Sequence, residues 1–333
     1  MQDKDRVSIK YFEEKARFAD LLNGYFFQGE AVVQAEDIQE RKREIVIRQK
    51  DIEKKKYRVL TRDITKEVKL NMNVVFLAVE SQSKVHYAMP VKILAADGGF
   101  YYSQWKQLAA EHEEKRDLKN AEFLSGISKE ERLKPTITIV LYFGNEPWDG
   151  PRSLKDMLDM EHMPEIIQRY IGDYPMCLLE VRRYEEYEKF KTDLRYVFGY
   201  LQKSQNKEEL KQYIKDNHAV FECIREDAYD LMITMSHSKE LKVVKLKYQN
   251  AEGEVNMCKA IQEMIEDGRE EGRCEGRREG RQEGRHEGHR DGYQEGIRLT
   301  KKIMRLKMEN KTDSEIAEEC EISLERVVWI LEQ

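Results

Sequence analysis

The segment VVFLAVE, residues 74 to 80, constrains the fold more than any other stretch of this chain. It is short, almost wholly apolar and rich in β-branched residues, so a buried strand is expected rather than a helix. Strands alternate their faces, which puts Glu80 and Gln82 on the same side at its end. Upstream, the apolar run YRVLT ends close to Asp63, and KEVKLNMN is expected to separate the two runs as a hairpin-like turn. Asp63 and Glu80 would then stand at the tips of adjacent strands. Oxygen ligands so placed suit a hard divalent cation: Mg²⁺, Mn²⁺ or Ca²⁺. A glutamate at a buried strand end is costly to leave unpaired, which favours a partner, a metal or Arg62.

Two further strands are expected, TITIVLYFG at 136 to 144 and MCLLEV at 176 to 181, set among helical patterns. Residues 9 to 23 carry apolar groups at helical spacing and end at Asn23-Gly24, a suitable helix stop. After Glu80 a helix is expected, with Pro90 in its first turn and an interruption at Asp97-Gly98-Gly99 before FYYSQWKQLAAEHEEKR resumes it. Ser153 can cap a helix after PWDGPR. From about 183 to 265 the pattern is mainly helical, broken near Asn206 and Asn217. The fold class is therefore α/β with a largely helical C-terminal half.

Charge limits the partners. Charged residues make up 37% of the chain, yet the net charge is only −6, so any nucleic-acid contact must come from a local basic patch. Residues 41 to 58 are such a patch, with nine Lys or Arg against three acids, lying just before Asp63. Lys54, Lys55, Lys56, Arg58, Arg62 and Lys66 are the candidates for contacts to a phosphate backbone, although charge runs of this kind are more often a solvated face. The five cysteines are widely spaced, with no C-x-x-C pair, which suits reduced cysteines in a cytoplasmic protein. Neither a leader-type apolar segment nor a membrane-spanning run is expected.

Residues 268 to 296 change character. Glycine recurs at every fourth position, an acid precedes each glycine, and Arg follows the first five. Glycine weakens an isolated helix, so a flexible linker and a self-associating helix are both open here, the latter making a homo-oligomer. A period longer than 3.6 favours a right-handed wrap if such helices pair. The final residues resemble a small helix-turn-helix unit, opening at Thr312 and Glu315 with capping-box spacing. Residues 312 to 333 hold one basic residue, Arg326, against seven acids, which suits protein contact better than entry into a DNA groove.

The Asp63…Glu80-x-Gln82 layout resembles the D…E-x-K core of restriction-endonuclease-like nucleases, with Gln82 where lysine is commonest. With RFADLLNGYFFQGE, LTRDI, ESQSKVHYAMPVK and ITIVLYFGNEPWDGPRSLKDML, the chain resembles the recombination-promoting nuclease family, also described as transposase-like, over roughly residues 10 to 300. The resemblance implies a mixed sheet flanked by helices at 1–182, a helical region packed on it at 183–266, the tetrapeptide repeat at 267–297 and the small helical unit at 298–333. It also implies a Mg²⁺-dependent DNA endonuclease, with Asp63 and Glu80 as metal ligands and the Ser81 carbonyl as a further oxygen. Gln82 brings no charge, and Lys92, early in the next helix, can reach back to supply one. Asp20 on the first helix and Gln104 are expected as accessory residues on the family's pattern. The alternative is a non-catalytic DNA-binding scaffold that assembles through its repeat; an RNA-directed nuclease or toxin is a third reading.

Overall fold

The computed structural model describes residues 3–40, 44–50, 57–61, 63–70 and 73–332. The chain divides into two compact units, Met1–Ile261 and Gln262–Gln333.

The first unit is α/β. Helices α1 (Asp3–Phe12) and α2 (Lys15–Phe26) precede strands β1 (Ile38–Glu40), β2 (Glu44–Lys50), β3 (Tyr57–Thr61), β4 (Ile64–Leu70) and β5 (Asn73–Gln82). Helix α3 (Met89–Lys115) and the short α4 (Asn120–Ser125) lead to β6 (Thr136–Tyr142), and a one-turn α5 (Glu165–Gln168) precedes β7 (Cys177–Glu180). The main sheet has the order β1-β4-β5-β6-β7, antiparallel from β1 to β5 and parallel from β5 to β7; β2 and β3 form a separate hairpin. The three buried strands read from the apolar runs are thus β5, β6 and β7.

Side-chain alternation sorts the layers. Odd residues of β5 face α1 and α2, where the Ser81 hydroxyl meets that of Ser8 at 2.5 Å. Even residues face α3: Phe76 stacks edge-on against Phe100, and across β6 the Thr138 hydroxyl donates to Asp97 at 2.8 Å. A second cluster, Met89, Ile93, Val140, Tyr142 and Trp148, pins the start of α3 to the ends of the parallel strands.

Several sequence expectations change. The stretch KEVKLNMN is largely strand, not turn: β4 runs from Ile64 to Leu70 and pairs along β5. Its charges disguised it, yet they are satisfied inside, with the Lys66 ammonium donating to the Glu13 carbonyl at 2.5 Å and Glu67 3.6 Å from Lys134. YRVLT, which is β3, pairs with β2 rather than with the strand carrying Glu80, so the basic run 41–58 contains hairpin strands. The helix expected at 9–23 is two helices, broken at Glu13-Glu14, and α2 continues past Asn23 because the Asn23 amide is engaged by the backbone of Val32 and Val33. Gly98 and Gly99 do not interrupt α3; buried Asp97 is tied to both Thr138 and the Tyr174 hydroxyl, which holds this turn to the sheet. Ser153 precedes only a 3₁₀ turn.

The helical half is α6 (Leu194–Lys203), α7 (Lys207–Asp216), α8 (His218–Phe221), α9 (Glu226–Ser236) and α10 (Lys239–Val244), with a two-residue pair of strands, β8 (Ile224–Arg225) and β9 (Glu254–Val255). Asn206 caps α7 through the amides of Glu208 and Glu209, as its position suggested. Arg17, 1% exposed, joins the two halves: its guanidinium donates to Asp193 before α6 and to Asp227 in α9 at 2.5–3.0 Å, and stacks 4.0 Å over the Tyr11 ring. Burial opposes the charge on Asp227, but Arg17 outweighs it and holds the carboxyl below its ordinary range.

The repeat lies within one continuous helix, α11 (Met257–Met308). Its eight glycines cost about 1 kcal/mol each relative to alanine. In the second unit the last turns of α11 pack with α12 (Asp313–Glu319) and α13 (Leu324–Glu332) around Ile303, Leu306, Ile316, Ala317 and Val327. Thr312 and Glu315 close the expected capping box.

Candidate active site

The register of β4 against β5 builds the site. Ile64, the first residue of β4, lies opposite Val79; carrying that register one residue beyond the strand puts Asp63 level with Glu80, on the face covered by α3. Directly opposed side chains have Cβ atoms about 5 Å apart. The Asp63 carboxylate accepts the Ser81 N–H at 2.8 Å, which fixes it across the strand ends. Glu80 is 4% exposed, and its Oε2 accepts from the Lys92 ammonium at 2.7 Å.

Lys92 reaches Glu80 because α3 starts where β5 ends. Met89 and Ile93 anchor the first turn in the apolar cluster, Pro90 occupies its first positions, and the Lys92 amide donates to the Ala88 carbonyl at 3.0 Å. The position two residues after Glu80 carries no charge, and a lysine from the neighbouring helix stands beside the glutamate instead. Gln82 shares the face of Glu80; it is half-buried, and among the described residues its side-chain amide has no hydrogen-bond partner.

Across the parallel strands Gln82, Tyr142 and Glu180 lie in one row. Glu180 accepts the Trp148 N–H at 2.9 Å and Arg152 at 2.7 Å, while the Tyr87 hydroxyl meets Asp149 at 3.1 Å. Burial pushes the Tyr142 hydroxyl up from its ordinary range. Apart from Gln82, none of these was singled out as a site residue from the sequence. The available signal was topological: in α/β sheets, ligands gather beyond the carboxyl ends of parallel strands.

Other sequence candidates lie elsewhere. Asp20 accepts from the amides of Lys191 and Thr192 and from the Thr192 hydroxyl at 2.6–2.9 Å, so its carboxylate anchors the loop before α6. Gln104 brackets the Lys134 backbone, donating at 3.1 Å and accepting at 2.9 Å. Twelve residues of helix separate it from Lys92, about 18 Å, which removes it from this end of the sheet. Lys66 is 1% exposed and, three residues after Asp63, points to the opposite face against Phe18; it cannot touch a phosphate backbone there. Lys54, Lys55, Lys56 and Arg62 lie outside the described residues, and Arg58 falls in β3.

Among the described residues no group of three or more His, Cys, Asp or Glu side chains converges on a metal position, and no helix is long and apolar enough to cross a membrane. The five cysteines are free thiols. Comparisons with protein-family models, with curated proteins and with solved structures each found no match.

Proposed function

We propose that the protein is a metal-dependent endonuclease that hydrolyses DNA phosphodiesters, in the service of recombination, mobile elements or phage defence. The observation that carries the reading is the Asp63 carboxylate seated on the Ser81 N–H at 2.8 Å, next in the chain to Glu80, whose carboxylate accepts from the Lys92 ammonium at 2.7 Å. Antiparallel strands delivering two acids, followed by a parallel crossover through α3, support a restriction-endonuclease-like core. The small helical unit of α12 and α13 is acidic, which supports a protein-contact role for it.

The donor set fits a hard cation. Opposed carboxylates destabilise a strand pair on their own, and Lys92 or a divalent ion offsets that. An extended residue turns its N–H and C=O toward the same neighbouring strand, so the Ser81 carbonyl faces the Asp63 side along with its N–H. Two carboxylates and one carbonyl suffice for Mg²⁺, which keeps several waters. When bound, the ion lowers the pKa of water and offsets charge on the phosphoryl oxygens. Asp63 and Glu80 would hold it. Lys92 supplies fixed positive charge beside Glu80, and the Gln82 amide orients the attacking water by hydrogen bonding. β3 ends two residues before Asp63, about 7 Å of chain, which tethers the basic hairpin near the site.

The uncharged Gln82 favours, as a second reading, a DNA-binding scaffold without catalysis. Nicking of supercoiled plasmid with Mg²⁺, Mn²⁺ or Ca²⁺ separates the two. Metal-stimulated nicking abolished by Asp63→Ala and by Glu80→Ala supports the endonuclease. DNA binding without nicking supports the scaffold, nicking that survives both substitutions rejects the site, and preference for a matched RNA duplex redirects the substrate class.

A further inference from the structure

Residues 266 to 298 of α11 are exposed throughout, and a Cβ built on any of the eight repeat glycines meets nothing within 4 Å. Among the described residues nothing packs on this helix face. The charges beside it say what would cover it. The acid before each of the first five glycines and the arginine after it, as in Glu275-Gly276-Arg277, are two residues apart and so project from opposite flanks of the glycine row. They cannot pair well with each other on one helix. The ion pairs described within this stretch are Glu270 with Arg273 and Glu275 with Arg278 at i,i+3, and the neighbours Arg290 and Asp291, all exposed; none joins the acid and the arginine that flank one glycine.

We propose that this face is covered by the same face of a second copy of the chain, the two α11 helices lying parallel. Two parallel helices related by a two-fold axis along their length set the acidic flank of each against the arginine flank of the other, on both sides of the seam. An antiparallel pair sets acid on acid and arginine on arginine. Charge complementarity therefore selects both the partner and its direction. The glycines admit close approach. Their spacing of four residues advances the row by about 40° per repeat, a full turn in roughly 54 Å of helix. With axes a little closer than the usual 8 Å, following that row requires a right-handed wrap at roughly 40–50°, near the crossing of G-x-x-x-G pairs.

The test uses the full chain. Light scattering is expected to give twice the chain mass, and a monomer at tens of micromolar (about a hundred-fold above a sub-micromolar Kd) overturns the pairing. Replacing the five arginines at 269, 273, 277, 281 and 285 by Glu is expected to weaken the dimer on the order of 100-fold or more. Mixing that variant with one whose acids before the glycines are changed to Arg is expected to restore a dimer of the two. Unchanged dimerisation of the first variant, or no recovery on mixing although both variants keep their helix content by circular dichroism, overturns the charged seam. Direction is read by oxidation in a Cys274→Ser background. Gly268→Cys is expected to cross-link to itself, whereas efficient mixed cross-linking of Gly268→Cys with Gly296→Cys would show an antiparallel pair and overturn the proposal.

Discussion

Lys92→Met isolates the charge that α3 brings to the strand ends. Methionine keeps most of the apolar stem and removes the ammonium. Glu80 then sits 4% exposed without the partner now 2.7 Å away. Breaking a buried ion pair by deleting one member costs about 3–5 kcal/mol. The Lys92 side chain is 38% exposed, so solvent screens its half of the interaction and the cost falls to about 1–3 kcal/mol. A cation held by Glu80 competes with Lys92 for the same oxygens, so the variant should bind Mn²⁺ more tightly than the unaltered chain. Saturating Mn²⁺, worth about 2.7 kcal/mol at a hundred times Kd, should then recover more stability in the variant than in the parent. Nicking should nevertheless slow, because water loses its fixed positive neighbour. Urea unfolding with and without Mn²⁺, with calorimetric titration, measures both effects. Equal stability without metal, or unchanged or weaker Mn²⁺ affinity in the variant, would refute the shared role of Glu80.

Arg17→Met should destabilise the first unit by about 3–5 kcal/mol in urea unfolding, because Asp193 and Asp227 lose a common buried cation; a cost below about 1 kcal/mol would show the junction to be incidental. His112 lies between Asp117 at 2.7 Å and Glu131 at 2.8 Å, which raise its pKa while their own are lowered. A raised histidine stabilises fully below its unfolded pKa of about 6.5 and ceases to do so as pH rises through the folded value. The melting-temperature gap between the chain and His112→Gln should accordingly be wider at pH 6 than at pH 9, and a gap that widens with pH would contradict this.

The parts of the fold legible in the sequence were those where one rule governs. β5, β6 and β7 are short, mainly apolar runs whose central residues are buried, and no helix period competes with them. β4 was missed because it breaks that rule. Its Lys66 and Glu67 are charged yet buried, and tertiary partners, the Glu13 carbonyl and Lys134 among them, make that tolerable. The continuation of α2 past Asn23 and the continuity of α3 through Gly98-Gly99 depend likewise on distant groups. At the site, Asp63, Glu80 and Gln82 follow from strand alternation once the register is known, and Lys92 from the closeness of α3 to the end of β5. Asp20 and Gln104 were acidic and amide side chains on helices, but their oxygens and nitrogens are engaged by the backbone at Lys191, Thr192 and Lys134. Sequence gives residue type at such positions; it does not give which backbone group takes the hydrogen bond.

If Asp63 and Glu80 jointly hold a divalent cation, loss of either carboxylate weakens its binding. Calorimetric titration of Mn²⁺ into the full chain and into Asp63→Asn, which keeps the size of the side chain, tests it without reliance on turnover. Saturable binding at one site that weakens at least about tenfold, or 1.4 kcal/mol, in the variant is the predicted result. Superimposable titrations of the two proteins would contradict it.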